Sequence, residues 1–333
     1  MVSTYRHGQK LSGPGPVRPP SPRPAARRVV RRRRWPRAVG VLAVLLGGVL
    51  LVEHVVAPAE AGAPAVVAGP DIAWPAQGQA AYTTSAITDL RAGGPQEPVP
   101  IASLTKVMTA WVVLQQHPLE VGEDGPTMQI TQDDVADTQR RRDGGESVVD
   151  VEAGEELTEL QALEALLLPS ANNVAVVLAR FTAGSEADFV DLMNAAADDL
   201  GLAGTHYDDA SGMSAASVST AADQVVLYDV ALRDPVFAAI SGAATAEIPV
   251  AGTVSTTNGL LGTDGFVAGK TGSHDAAGGC LVFRVDAVVD GRPVTVTGAV
   301  LGQRGGPQVQ AGLDAAQALA TAVRASSDVQ GAA

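Results

Sequence analysis

From Pro100 onward the apolar residues fall into helical spacing. Leu104, Val107, Met108, Trp111 and Leu114 recur at intervals of three and four, which predicts a helix from about 101 to 116. Pro100 lies where an entering proline is tolerated. Thr158 and Gln161 have the spacing of a capping box, ahead of a stripe of Leu160, Leu163, Leu166 and Leu167 that Pro169 ends. Three further apolar helices are predicted: 172–181 stopping before Gly184, 185–200 closed by Gly201, and 220–232 stopping before Pro235.

The pattern then changes. Short β-prone pieces occur within 79–90, and longer ones at 266–270, 279–289 and 294–301, with Asp290-Gly291 marking a hairpin turn between the last two. An alanine-rich helix is predicted over 309–326. The stretch from about 133 to 156 is too charged to be core, and its Arg140-Arg141-Arg142 run reads as a solvated face. β pieces, a helical block, an antiparallel sheet and a closing helix therefore follow in order. That order predicts an α/β lobe with an all-helical lobe inserted in it.

Charge divides the chain sharply. Residues 1–37 carry 11 basic and no acidic residues, leaving 12 basic against 36 acidic in the rest, a net of −24. An unbroken apolar run follows at 38–52; as a helix it is roughly 23 Å long, short of a hydrocarbon core of about 30 Å. It fits either a signal-peptide core or a short anchor extended to Val56, and small residues suited to cleavage follow at Ala57-Pro58-Ala59 and Ala59-Glu60-Ala61. In either case the arginines stay in the cytoplasm and the acidic part is exported, membrane-held or secreted. An exported acidic domain gives no reason to expect nucleic acid. Residues 57–75, rich in Ala, Pro and Gly, read as a tether. Cys280 is the single cysteine, set in the apolar GGCLVF, so no intrachain disulfide can form and a buried thiol is expected. The five histidines show no zinc spacing, and neither a metal nor a cofactor is expected.

Candidate chemistry begins at Ser103 and Lys106, which a helix brings onto one face. A serine hydroxyl becomes a nucleophile once a base takes its proton, and a desolvated lysine can be that base. Ser-x-x-Lys alone is a weak signal, but only Lys10, Lys106 and Lys270 stand among 23 basic residues, and arginine cannot accept the proton. Ser170-Ala171-Asn172 sits between two apolar helices, where it can cap the second helix or bring a hydroxyl and an amide to Ser103. Lys270-Thr271-Gly272 follows a β-prone run. It is either a surface turn or an edge strand whose lysine and hydroxyl grip a carboxylate, while the glycine admits a substrate backbone.

The three motifs stand 67 and 100 residues apart, in the order S-x-x-K, S-x-N, K-T-G of the penicillin-recognising serine enzymes. PVPIASLTKVMTA, LLLPSANNVAVVLA, GTHYDDASGMSAASVSTAADQ and DGFVAGKTGSHDAAGGCLVF resemble the D-alanyl-D-alanine carboxypeptidases, the low-molecular-mass penicillin-binding proteins, over about 74–301. The resemblance implies a β-lactamase/transpeptidase-like α/β fold: an antiparallel sheet flanked by helices, with the helical lobe inserted. It implies an acyl-enzyme cycle on peptidoglycan stem peptides ending in D-Ala-D-Ala, and acylation by β-lactams. Ser103 would be the nucleophile, Lys106 its base, and Ser170 the donor returning a proton to the leaving D-alanine. Asn172 would bind the peptide amide, and Lys270, Thr271 and Gly272 the substrate's terminal carboxylate and strand. The backbone N–H groups of Ser103 and Ser273 would form the oxyanion hole.

The chain departs from that pattern at Ser273-His274-Asp275, where His274 is expected to be a solvent-exposed rim residue. Arg304 is the one arginine placed to assist with the carboxylate, and no role is assigned to it. The resulting organisation is a basic tail at 1–37, a hydrophobic segment at 38–56, a linker at 57–75, a catalytic domain at 76–326 and a disordered tail at 327–333. Two rival readings remain: a β-lactamase, against which GTHYDDASGM counts by lacking a deacylating glutamate, and a penicillin sensor or cell-wall-binding protein that does not turn over.

Overall fold

The computed structural model describes residues 66–68, 72–289 and 291–330. The basic tail and the hydrophobic segment at 38–56 lie outside the described residues. Among the described residues no helix is long and apolar enough to cross a membrane.

Three short strands open the fold: β1 (Val66–Ala68), β2 (Gln79–Thr84) and β3 (Leu90–Gly93). β4 (Val99–Pro100) leads through a single 3-10 turn, Ala102–Leu104, into α1 (Thr105–Gln116). The block that follows holds β5 (Thr127–Gln129), α2 (Gln132–Asp143), β6 (Glu156–Thr158), α3 (Glu159–Leu167), α4 (Asn172–Ala183) and α5 (Glu186–Asp199). Then come β7 (Val218–Ser219), α6 (Ala221–Ala231), α7 (Pro235–Ser241) and the hairpin β8 (Thr245–Ile248) and β9 (Gly252–Ser255). Three long strands, β10 (Phe266–His274), β11 (Gly278–Val289) and β12 (Arg292–Gln303), complete the sheet before α8 (Gln308–Arg324) and the single turn α9 (Ser327–Gln330).

The main sheet has the order β1-β3-β2-β12-β11-β10. Its strands are antiparallel except for β1, which pairs in parallel with β3. Alternation along each strand separates two cores. On one face Leu281, Phe283 and Val285 of β11 meet Leu313, Ala316, Leu319 and Val323 of α8. Gly298 of β12 pairs with Phe283, and a Cβ there would lie 2.3 Å from the ring, so the aromatic fits because that side chain is missing. On the other face Val282, Ala299 and Leu301 belong to the apolar cluster that continues through α6 into α1 and α4. Helices α1 to α7 all fall between β3 and β10, which is the inserted helical lobe that the sequence predicts.

The predicted helices form where their signals lie. Thr158 and Gln161 cap α3 reciprocally, Ser185 and Thr220 cap α5 and α6, and Gly184 closes α4 at φ 83°. Four features differ from the sequence reading. Within 133–156 lies a true helix, α2, with its own capping box between Thr131 and Asp134. It docks through polar groups: Asp134 accepts two bonds from Arg180, at 2.7 and 2.9 Å, and Thr138 one from Asn173 at 3.0 Å. Apolar periodicity therefore could not reveal it. Residues 66–68, inside the expected tether, join the sheet. Residues 327–330, expected to be a disordered tail, form α9, because Asp328 accepts bonds from the Tyr82 hydroxyl (2.8 Å) and Arg91 (2.9 Å) while Val329 is buried. Finally, α7 and the β8–β9 hairpin were not predicted; Asp234 caps α7 just before Pro235.

Cys280 is buried, and burial pushes its thiol up to about 12. A thiol held protonated in this way is a core side chain, as its apolar setting implies.

Candidate active site

Ser103 lies in the tight turn before α1, and the neighbouring chain grips that turn from two sides. A Cβ on Gly212 would fall 1.8 Å from the Ala102 carbonyl oxygen. One on Gly272 of β10 would fall 2.8 Å from the Ile101 carbonyl and 3.1 Å from the Ser103 nitrogen. Only a residue without a side chain permits either approach. Ala102 itself is held at φ 49° and Ser170 at φ 66°, left-handed conformations that non-glycine residues rarely adopt. Strain thus sits at the residue before the first motif serine and at the second motif serine.

Lys106, the second residue of α1, is fully buried. Its Nζ lies 2.8 Å from Ser103 Oγ, 2.6 Å from Asn172 Oδ1 and 2.7 Å from the Ser211 carbonyl oxygen. Desolvation, reinforced by the nearby Lys270 ammonium, holds its pKa well below the usual lysine range; Asp209 and Glu146 oppose the shift. Lys270 is buried as well and donates to Ser170 Oγ and to the Thr271 carbonyl, both at 2.9 Å. Its desolvation brings the pKa to about 7. Thr271 pairs with the Thr257 hydroxyl at 2.5 Å. The sequence-predicted residues therefore meet in one place: Lys106 joins Ser103 to Asn172, Lys270 joins β10 to Ser170, and Gly272 seats β10 against the serine turn.

A cleft of about 550 Å³ opens over this cluster. Ser103, Asn172, Ser273 and His274 line it, together with Glu146 and Met213. His274 differs from its expected exposure. It is half-buried, its Nδ1 accepts from the Ala277 N–H at 3.1 Å, and burial lowers its pKa. It is built into the turn between β10 and β11 rather than left in solvent. Arg304 donates to the carbonyls of Asp275 and Ala276, at 3.0 and 2.8 Å, and so braces that same turn.

Sequence reasoning missed Glu146 and Arg141. Glu146 Oε2 accepts from Asn172 Nδ2 at 2.8 Å and from Arg141 Nη1 at 2.9 Å. Arg141, read as part of a solvated run, is mostly buried and also donates to Asp137 at 2.6 Å; Arg140 and Arg142 are the exposed members. Nothing in the spacing of Glu146 marks it out. Its meaning depends on α2 folding back over the start of α4. Among the described residues no group of His, Cys, Asp and Glu is arranged to hold a metal ion.

A paired serine and buried lysine, a second serine on a second buried lysine, and an amide between them agree with one family. Its model, described as D-alanyl-D-alanine carboxypeptidase, matches residues 81–304. The chain belongs to the D-alanyl-D-alanine carboxypeptidase family. It is 33% identical over 216 residues to a D-alanyl-D-alanine carboxypeptidase of Streptomyces sp. (strain K15), covering 60% of this chain and 71% of that one. It is 33% identical over 230 residues to a D-alanyl-D-alanine endopeptidase of Pseudomonas aeruginosa, covering 65% and 70%. The solved structure of the Streptomyces K15 DD-transpeptidase superposes with a TM-score of 0.65 at 26% identity, over 75% of this chain and 98% of that one. The fold is accordingly that of the penicillin-binding, β-lactamase-like serine enzymes, and the chain is a serine-type carboxypeptidase.

Proposed function

We propose that Ser103, Lys106 and Ser170 carry the acyl transfer of this serine D-alanyl-D-alanine carboxypeptidase, which removes the terminal D-alanine from peptidoglycan stem peptides. The observation that carries the reading is the 2.8 Å contact between Ser103 Oγ and the Nζ of a lysine with no exposure to water. Burial favours the neutral form of that amine, and in that form it can take the hydroxyl proton as Ser103 attacks the carbonyl of the penultimate D-alanine. The oxyanion then forms between β10 and the serine turn, where the N–H groups of Ser103 and Ser273 stabilise it; such a donor contributes about 3 kcal/mol. Ser170 Oγ accepts from Lys270, which leaves its own O–H free to act as a relay. It gives that proton to the departing amine and takes in its place the one that Lys106 drew from Ser103, so Lys106 is neutral again. Lys270 in its charged form, with Thr271, holds the terminal carboxylate, Asn172 binds the peptide amide, and Gly272 admits the substrate backbone beside β10. Water then releases the shortened peptide. A β-lactam carbonyl reaches Ser103 by the same route and acylates it.

The basic tail and the apolar segment at 38–56 support a catalytic domain on the outer side of the cytoplasmic membrane, anchored there or secreted after cleavage.

The test pairs two assays on the part of the chain from about residue 62 onward, which keeps β1: D-alanine release from a D-alanyl-D-alanine pentapeptide, and labelling by a fluorescent penicillin. Both are expected, and both are lost in Ser103→Ala. Labelling without D-alanine release would make the protein a sensor, and rapid penicillin hydrolysis would make it a β-lactamase.

A further inference from the structure

Hydrogen counting around Lys106 sets a condition on the site. A neutral amine offers two N–H donors and one lone pair, and Nζ has three neighbours within 2.8 Å. The Ser211 carbonyl can only accept. If the Asn172 oxygen also faces Nζ, both N–H groups are used and the lone pair is left for the Ser103 hydroxyl. If the amide is turned over, its NH₂ takes that lone pair and Ser103 loses its base. An asparagine side chain does not choose between these orientations by shape, since its oxygen and nitrogen are nearly isosteric. The choice falls to whatever holds the other end.

That end rests on Glu146. A carboxylate accepts and never donates, so it takes Asn172 Nδ2, at 2.8 Å, and rejects the oxygen. Arg141 fixes the same carboxylate oxygen at 2.9 Å and is itself tied to Asp137 at 2.6 Å. The chain of contacts runs from α2 through Glu146 and the first turn of α4 to the base, each link between a committed donor and a committed acceptor. We propose that Glu146 is a positioning residue of the acylation step: it selects which end of the Asn172 amide faces Lys106 and so keeps the lysine lone pair turned to Ser103. This rests on the reading of Lys106 as the base. Asn172 Nδ2 has a second hydrogen, so the same orientation presents a donor to a peptide carbonyl in the cleft.

The variant Glu146→Gln tests it, because glutamine is isosteric but can present either amide end. Acylation by fluorescent penicillin is followed from about pH 5 to 9 in wild type, E146Q, E146D and Lys106→Arg, with melting temperatures as the control for folding. The charged groups facing Lys106 are Lys270 from β10, Asp209 from the segment preceding Gly212, Glu146, and Arg141 from α2. Removing the Glu146 charge takes away one of the two anions that favour the ammonium. E146Q is therefore expected to lose roughly tenfold or more of its plateau rate while the midpoint of its acid limb moves to lower pH, a pairing that simple loosening of the fold does not produce. E146D keeps an acceptor-only partner and is expected to recover most of the plateau. E146Q with a wild-type plateau and midpoint, beside an inert K106R, would overturn the role of Glu146 and leave the base assignment standing; E146D no faster than E146Q would overturn it too. Normal labelling of K106R would instead overturn the base assignment itself.

Discussion

Beneath α8 the sheet buries Leu281, Phe283, Val285 and Val296 against Leu313, Leu319 and Val323, and a polar group reaching into that layer, the Tyr82 hydroxyl, is tied to Asp328. Across the same sheet, toward α1 and α4, the buried set includes Lys106, Lys270, Ser170, Asn172 and Thr109. The first layer consists almost entirely of contacts that favour folding. The second buries two lysine amines within reach of each other's field, and burial and like charge both oppose their being charged together. The sheet therefore separates a layer that is almost wholly apolar from one whose larger apolar core also encloses groups under electrostatic stress. Damage to either face should have a distinct signature.

The sharpest way to break the comparison is Phe283→Ala, on the side without chemistry. Removing a buried ring that fills the space over Gly298 should cost about 3–5 kcal/mol of stability by denaturant unfolding, with acylation per folded molecule unchanged. A loss of acylation in molecules that remain folded would show that the two faces are not independent. Next in size is the pH response of Lys270. With a pKa of about 7, its ammonium is present below that pH and lost above it, so kcat/KM for the peptide should fall about tenfold per pH unit on the alkaline side. Lys270→Arg, which cannot deprotonate, should lack that limb whatever its absolute rate.

The smallest effect concerns Glu159, at the start of α3. It is wholly buried, neither carboxyl oxygen has a partner, and desolvation raises its pKa from 4.5 to about 7. Because the folded state binds this proton more tightly than the unfolded chain, its contribution is complete below about pH 4.5 and is lost as pH rises through 7. The melting temperature of Glu159→Leu should therefore exceed that of the wild type by a few degrees at about pH 8, and the difference should shrink toward pH 5. An equal difference at both pH values would mean that the carboxyl titrates normally.

The sequence reading succeeded wherever the deciding interaction was local or repeated. The capping pair Thr158 and Gln161, the closing Gly184 and the β-prone run of β11 with its Asp290-Gly291 turn signal each act within a few residues, so local composition and turn chemistry revealed them. The three motifs were legible because lysine is so rare here that Lys106 and Lys270 stood out. What escaped depended on distant partners. Helix α2 is held by Asp134 to Arg180 and by Thr138 to Asn173, not by an apolar stripe. Asp328 orders the final turn only because Arg91 and Tyr82 wait for it more than 230 positions earlier. His274 was misplaced for the same reason: its burial comes from the β10–β11 turn folding over it, where Ala277 meets its ring nitrogen.

Gly212 and Gly272 close on the turn before α1 like two jaws, with no side chain between jaw and work. A nucleophile clamped so tightly has little freedom to track its target. Each ligand must bring its own carbonyl to a fixed oxygen, so selectivity among acyl donors falls to the ligand's shape and to the walls around it.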